Sequence, residues 1–140
     1  MEDIVITFPG GKRVDALVGA YVVHTDQPVD AGGEGTAVAP FDLFLAALGT
    51  CTGLYVLAFC QARGISTDGL SLRQRVEINP ATKLPNGIRI EVRLPSSFPE
   101  KYRTAVLRAA EGCKVKKTIA AAPSIDVALA PADELLVKAS

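Results

Sequence analysis

The strongest constraint on the fold is a long segment without charge. Residues 43–62 include no Asp, Glu, Lys or Arg, with Asp42 and Arg63 at the two ends. A helix of about 20 apolar residues is long enough to span a bilayer. Small residues such as Gly49 dilute the segment, and a helix that is apolar around its whole circumference equally fits a position buried on all sides in a soluble protein. We therefore predict a buried helix over residues 42–63 and no association with a membrane.

Covering such a helix requires more protein than one small subunit supplies. At about 1.5 Å per residue the helix is roughly 30 Å long, the diameter of a small domain. The chain has 140 residues, enough for one hydrophobic core and too few for two. Hydrophobic residues make up 49% of it and charged residues 21%. We expect a single domain over residues 1–140 and a second subunit that helps to cover the helix.

Shorter β-type and helical segments surround this helix. Alternating or β-branched runs predict strands over residues 4–8, 13–18, 21–25, 70–78, 88–94 and 125–129. Amphipathic runs predict helices over residues 100–112 and 115–121. Residues 26–40 are rich in Gly, Asp, Ala and Pro and predict a loop. Because strands and helices are segregated along the chain, the fold class is predicted to be α+β.

Several classes of partner and cofactor are disfavoured by the composition. Fifteen basic residues balance fifteen acidic ones, so we expect no nucleic-acid partner. Residues 32–35 are glycine-rich but lack the strand-to-helix context of a dinucleotide site and the Lys-Ser/Thr pair of a phosphate loop, so we expect no such cofactor. The sequence has no CxxC pair accompanied by histidines, so we expect no metal site. Residues 1–3 have none of the regions of a secretory signal, which predicts a cytoplasmic location.

Cys51 is the first candidate for chemistry. It lies near the middle of the predicted buried helix, between Gly49 and Gly53. Small residues around a cysteine leave room for a facing backbone or for a small ligand at the sulfur. Free cysteine is also commonly a small apolar core residue. Both interpretations remain open on these residues alone.

Cys113 is the second candidate, at a junction between two predicted helices. A helix N-terminus and the lysines that follow it favour the thiolate, although those lysines equally fit an ordinary solvated surface. Cys60 is interpreted as a core residue, because it lies about 900° around the helix from Cys51 and roughly 13 Å along it. His24 ends a strand, and we expect an ordinary hydrogen bond rather than catalysis.

Three segments resemble the OsmC/Ohr (organic hydroperoxide resistance) family. They are PFDLFLAALGTC at residues 40–51, Arg-Gly-Ile at 63–65 and Cys-Lys-Val at 113–115. The resemblance covers nearly the whole chain. It implies an OsmC-like intertwined homodimer, in which two long central helices are wrapped by antiparallel sheets from both subunits and the active sites lie at the interface.

The resemblance also implies a chemistry. In family members that reduce organic or inorganic peroxides, the first cysteine attacks the O–O bond, becomes a sulfenic acid and forms a disulfide with the second, which an external dithiol reduces. Carried onto this chain, Cys51 is the nucleophile and Cys113 the resolving thiol. An arginine held by a glutamate activates the nucleophile in active relatives, and the nearest matches here are Arg13 and Asp42. Lys114 replaces a proline that is frequent after the second cysteine.

Two functions are therefore predicted. The first is a thiol-dependent peroxidase without a cofactor, which binds small hydroperoxides in an apolar pocket with Phe44, Leu48 and Tyr55 as candidate lining residues. The alternative is a noncatalytic OsmC-like dimer that binds a small apolar ligand or senses redox state. The departures from the arginine and glutamate pair favour the alternative, because a cysteine with an ordinary pKa of about 8.5 is only slightly ionised at neutral pH.

Overall fold

The structure is a computed structural model that describes residues 1–131. Its contacts divide the chain into two compact units, which are described separately. The N-terminal unit comprises Met1–Phe44 together with the residues from Ser124 onward, and the C-terminal unit comprises Leu45–Pro123. The prediction of one domain over residues 1–140 remains a prediction.

The N-terminal unit contains the predicted three-stranded antiparallel meander. Its strands are β1 (Ile4–Gly10), β2 (Arg13–Val18) and β3 (Tyr21–Thr25), in the order β1-β2-β3. Gly10 and Gly11 form the first turn with φ values of 136° and 59°, a region that glycine adopts without strain. The register places Ile4, Val18 and Tyr21 side by side, and all three are exposed. One face of this sheet is therefore apolar and uncovered in the single chain.

A buried carboxylate organises the loop that follows. Asp26 accepts hydrogen bonds from the backbone N–H groups of Gln27 at 2.7 Å, Glu34 at 3.3 Å and Thr36 at 3.1 Å, and from the Thr36 hydroxyl at 2.8 Å. These hydrogen bonds, those from Thr36 first, lower the pKa of Asp26 to about 2. A Cβ at Gly33 would lie 1.9 Å from the Gln27 carbonyl oxygen, so only glycine fits there.

The long helix α1 spans Pro40–Gln61. Its buried residues form one face: Leu48, Thr52, Val56, Phe59 and Cys60. In the single chain Phe41, Phe44, Leu54 and Leu57 remain exposed, so the burial of all sides that was expected from two subunits together remains a prediction. Among the described residues it is the one helix long and apolar enough to cross a membrane, which is weak evidence because a core helix of a soluble protein has the same properties.

The C-terminal unit surrounds the buried face of α1. An antiparallel hairpin of β4 (Ser71–Ile78) and β5 (Pro85–Arg93) is followed by a short 3-10 helix (Glu100–Tyr102), α2 (Arg103–Ala110) and α3 (Lys114–Ala121). The predicted helix over residues 100–112 thus begins as a 3-10 turn and ends two residues early. The core consists of Val56, Phe59, Cys60, Phe98, Val106 and Ala110.

The predicted last strand is the clearest error. Residues 122–131 form no strand within the part of the chain that the structure describes. Ile125, Val127 and Leu129 alternate as strand residues do, yet all three are almost fully exposed. A strand needs a neighbour for its backbone N–H and C=O groups, and in the single chain this segment has none.

Candidate functional site

The structure brings Cys51 and Cys113 together within the C-terminal unit. Cys51 lies on α1 and is partly exposed, whereas Cys113 is fully buried. The Cys51 side chain lies close enough to Cys113 to lower the pKa of its thiol, and both thiols are free. Cys113 Sγ also lies 3.9 Å from the backbone carbonyl oxygen of Leu48, to which its S–H group donates. Two thiols separated widely in sequence thus share one site on the buried side of α1.

Gly112 allows this approach. A Cβ there would lie 3.1 Å from the Tyr55 ring carbons Cδ1 and Cε1 and 3.1 Å from the Ala109 carbonyl oxygen. Contacts at 3.1 Å are closer than a methyl group tolerates without movement of its neighbours. The turn between α2 and α3 can therefore contact α1 one helical turn after Cys51, which places Cys113 against the first thiol.

Cys113 is also the N-cap residue of α3. Its Sγ accepts a hydrogen bond from the backbone N–H of Lys116 at 3.4 Å. Burial raises the pKa of the Cys113 thiol, but the N–H of Lys116, the side chains of Cys51 and Thr52 and the N–H of Val115 more than offset this, so the pKa is lowered. Lys116 acts on Cys113 through its backbone N–H group, whereas its charged Nζ pairs with Glu111.

Thr52 is a member of the site that the sequence analysis missed. It is buried, and its hydroxyl donates to the Leu48 carbonyl oxygen at 2.9 Å, the same oxygen to which Cys113 donates. The Thr52 side chain also lowers the pKa of the Cys113 thiol. A hydroxyl carries one proton, so it donates to one acceptor at a time. A polar residue directly after a cysteine, in a helix predicted to be buried, was the available signal, because a buried hydroxyl needs a partner.

The two glycines that flank Cys51 have different surroundings. A Cβ at Gly49 would lie 3.1 Å from Gln74 Oε1, and Gln74 Nε2 donates to the Leu45 carbonyl oxygen at 3.0 Å. Residues two apart on a helix point about 200° away from each other, so Gly49 admits Gln74 of β4 on the side of α1 opposite Cys51. A Cβ at Gly53 would meet nothing within 4 Å, so space for a ligand near this glycine remains a prediction.

The two residues predicted to activate Cys51 do not pair in the N-terminal unit. Arg13 begins β2, where its Nε donates back to the Gly10 carbonyl oxygen at 3.4 Å. Asp42 lies exposed in the first turn of α1, and within the described residues of this unit no ion pair joins it to Arg13. That Arg13 and Asp42 activate the Cys51 thiol remains a prediction.

The remaining candidates have these surroundings. Phe44 stacks against Phe41 in the N-terminal unit, with ring centroids 5.9 Å apart. Cys60 lies in the core, where burial raises the pKa of its thiol and the charge of Arg63 opposes this. His24 Nδ1 lies 2.8 Å from Asp15 Oδ2 on the neighbouring strand, an ordinary cross-strand hydrogen bond.

A cavity within the C-terminal unit shares two wall residues with the surroundings of Cys113. Its volume is about 1070 Å³, slightly above the usual range for small-molecule pockets. Leu48 and Thr52 line it, but neither cysteine does. The rest of the lining is mixed, with apolar side chains such as Ile90, Leu107 and Ile119 and charged ones such as Arg75, Glu91 and Lys116. The cavity can therefore hold a partly apolar molecule near Cys113.

Comparison with solved structures identifies the fold. An osmotic stress induced and detoxification response protein from Psychrobacter arcticus 273-4 is 22% identical, with a TM-score of 0.69 over 84% of this chain and 88% of that one. The organic hydroperoxide resistance protein OsmC of Legionella pneumophila is 22% identical, with a TM-score of 0.51 over 85% of this chain and 90% of that one. An organic hydroperoxide resistance protein of Vibrio cholerae, with captopril bound in one of its active sites, is 20% identical, with a TM-score of 0.51 over 84% and 85%.

Among curated proteins, none matches the sequence. The model of the OsmC-like protein family matches residues 33–128, which include both candidate thiols. The predicted α+β fold with antiparallel sheets and a long helix is confirmed, while the predicted dimer is not tested by these comparisons. The chain belongs to the OsmC-like family.

Proposed function

We propose that this OsmC-like protein is a thiol-dependent peroxidase that reduces organic hydroperoxides, with Cys51 as the nucleophile and Cys113 as the resolving thiol. The observation that carries the proposal is the proximity of two free cysteines on α1 and at the start of α3, one partly exposed and one buried. Membership of the family points to a redox or peroxide-resistance role. Two of the similar structures are described as organic hydroperoxide resistance proteins.

The proposed reaction has three steps: attack on the peroxide, formation of the disulfide and its reduction. The Cys51 thiolate attacks the terminal peroxide oxygen, the O–O bond breaks, and the alkoxide takes a proton to leave as an alcohol. Cys51 is then a sulfenic acid. The Cys113 thiolate attacks that sulfur and displaces hydroxide, which takes a proton to leave as water, and a disulfide forms. An external dithiol reduces the disulfide and is itself oxidised.

The surroundings of the two thiols suit this order of events. Cys51 is the partly exposed one and can meet a substrate, whereas Cys113 is buried and has no surface exposed to a substrate in solution. The apolar residues of the cavity favour a hydroperoxide with a hydrocarbon body over hydrogen peroxide, because such a body gains from burial.

The acting form is proposed to be a cytoplasmic homodimer. In the single chain α1 leaves an apolar face in water that includes Leu54 and Leu57, and the N-terminal sheet leaves another that includes Ile4 and Tyr21. Apolar surfaces of this extent on a helix and a sheet are typical of subunit interfaces.

The test is peroxide consumption by the reduced protein with excess dithiol, for wild type and for Cys51→Ser, Cys113→Ser and Cys60→Ser. We expect turnover to be lost in the first two variants and kept in the third. Cys60→Ser is the matched control, because it removes a thiol from the same helix in the core. Turnover that survives Cys51→Ser would refute the assigned nucleophile.

A second function is favoured by one observation. Within the C-terminal unit no Lys or Arg side chain hydrogen-bonds to Cys51 or Cys113. Without a cation at the nucleophile, the same thiol pair would serve a redox sensor or a binding module. Correctly folded protein that forms the disulfide with peroxide but shows no turnover above that of the free dithiol would support this second function.

A further inference from the structure

The two sulfurs of the site differ in access and in what holds them. Cys51 is partly exposed, whereas Cys113 has no exposed surface. A thiolate that opens a disulfide must reach the sulfur that it attacks. In this site only the Cys51 sulfur can be reached from solvent.

The second asymmetry concerns the leaving sulfur. Cys113 Sγ is the N-cap of α3 and accepts the Lys116 N–H at 3.4 Å, and the N–H of Val115 also stabilises it. The N-terminus of a helix favours negative charge. In thiol–disulfide exchange the sulfur that is better stabilised as a thiolate leaves faster. When the disulfide opens, a thiolate on Cys113 would therefore accept hydrogen bonds from N–H groups that are already in position.

Thr52 supplies a third donor that can change partner. When Cys113 is a thiol, its S–H group and the Thr52 hydroxyl can both donate to the Leu48 carbonyl oxygen, at 3.9 and 2.9 Å. When Cys113 is a thiolate it has no proton to donate, and rotation of the Thr52 hydroxyl directs its proton to the sulfur, which in the thiol form shares the Leu48 carbonyl oxygen with Thr52.

From this geometry we propose that the Cys51–Cys113 disulfide opens at one end only: the reducing dithiol attacks Cys51 Sγ, and Cys113 leaves as a thiolate held by the α3 N-terminus and the Thr52 hydroxyl. The inference rests on the proposed function, since it concerns the same pair of thiols. It assigns Thr52 as a positioning residue for reduction rather than for attack on the peroxide.

The step balances as follows. A dithiol thiolate forms a bond to Cys51 Sγ, the bond between the two cysteine sulfurs breaks, and its electron pair goes to Cys113. The second thiolate of the reductant then attacks the reductant's own sulfur in the mixed disulfide and releases Cys51, which takes a proton from solvent. The protein gains two electrons and the dithiol becomes a cyclic or linear disulfide.

The site of attack can be mapped directly. The disulfide is formed with diamide, so that peroxidase activity is not required, and the protein is treated briefly with limiting glutathione, quenched with acid and alkylated under denaturing conditions. Peptide mass analysis is expected to show glutathione on Cys51 and the alkyl group on Cys113. Glutathione on Cys113, equal adducts on both residues, or failure of diamide to form the bond would overturn the inference.

The role of Thr52 is tested with two variants of it and one control. Thr52→Val removes the hydroxyl with little change of shape, and we expect the thiolate absorbance of the reduced protein to appear at higher pH and reduction to slow roughly threefold. Thr52→Ser should restore both. Thr50→Val is the matched control, because Thr50 is exposed on the same helix and donates only to the Ala46 and Ala47 carbonyl oxygens.

The outcomes separate the two proposals. Glutathione on Cys51 in a protein without peroxide turnover would leave the inference standing and refute the peroxidase. Turnover that depends on both cysteines, with Thr52→Val behaving as wild type in absorbance and in reduction rate, would refute the role of Thr52 and leave the peroxidase standing.

Discussion

Leu54 offers a quantitative test of the proposed homodimer. In the single chain its side chain lies on the uncovered side of α1 and keeps 60% of its surface exposed. Full burial of a leucine contributes about 1.5–3 kcal/mol, so covering the exposed part contributes roughly 1–2 kcal/mol. A two-fold dimer contains the residue twice. Leu54→Ala should therefore weaken the dimer by about 2–4 kcal/mol, which raises the dissociation constant roughly 30- to 700-fold.

Sedimentation velocity over a dilution series measures that constant directly. Leu84→Ala is the matched control, because Leu84 is 64% exposed but lies in the turn between β4 and β5 rather than on α1. Both substitutions should change the stability of the folded chain by less than about 0.5 kcal/mol, since exposed positions contribute little. Equal dissociation constants for the two variants, or a wild-type protein that is monomeric at all concentrations, would refute the reasoning.

Three further predictions concern the stability of the folded chain and the formation of the Cys51–Cys113 disulfide. Val106→Ala, at a fully buried core position, should lower the free energy of unfolding in urea by about 2–3 kcal/mol, and a loss below 1 kcal/mol would show that the core repacks. Asp26→Asn should lower the urea midpoint at neutral pH. Because the pKa of Asp26 is lowered to about 2, its stabilisation is complete above the ordinary value of 3.8 and is lost as the pH falls through 2, so wild type and variant should converge there. Gly112→Ala should slow formation of the Cys51–Cys113 disulfide by diamide, because the new methyl group would lie 3.1 Å from Tyr55; an unchanged rate in folded protein would contradict this.

Secondary structure was predictable where it depends on local pattern. The bounds of β2 and β3 agree with the sequence, because alternation and glycine punctuation are properties of adjacent residues. The strand predicted at residues 125–129 shows the opposite case. Its residues alternate correctly, but a strand also requires a partner, and no partner is found in the single chain.

The same distinction applies to α1. Its apolar composition predicted a helix correctly, yet composition does not specify what covers each face. The exposed residues of α1 and residues 125–129 both carry the pattern of buried structure without burial within the part of the chain that the structure describes. The proposed second subunit accounts for both with one cause, which is why the dimer is the first property to test.

The electrostatics of the site could not have been derived from the pattern of charges. The sequence predicted a cation beside Cys51, and the lysines after Cys113 were a possible source of positive charge. In the structure, the Cys113 thiolate is favoured by the backbone N–H of Lys116 and by the Thr52 side chain. Backbone donors are present at every helix N-terminus, so what singles out Cys113 is its position at the N-cap, which depends on the turn at Gly112. A resolving thiol held in this way needs no lysine or arginine to attack a sulfenic acid. If turnover proves slow, the limiting step should therefore be attack of Cys51 on the peroxide, and added peroxide, rather than added dithiol, should raise the rate.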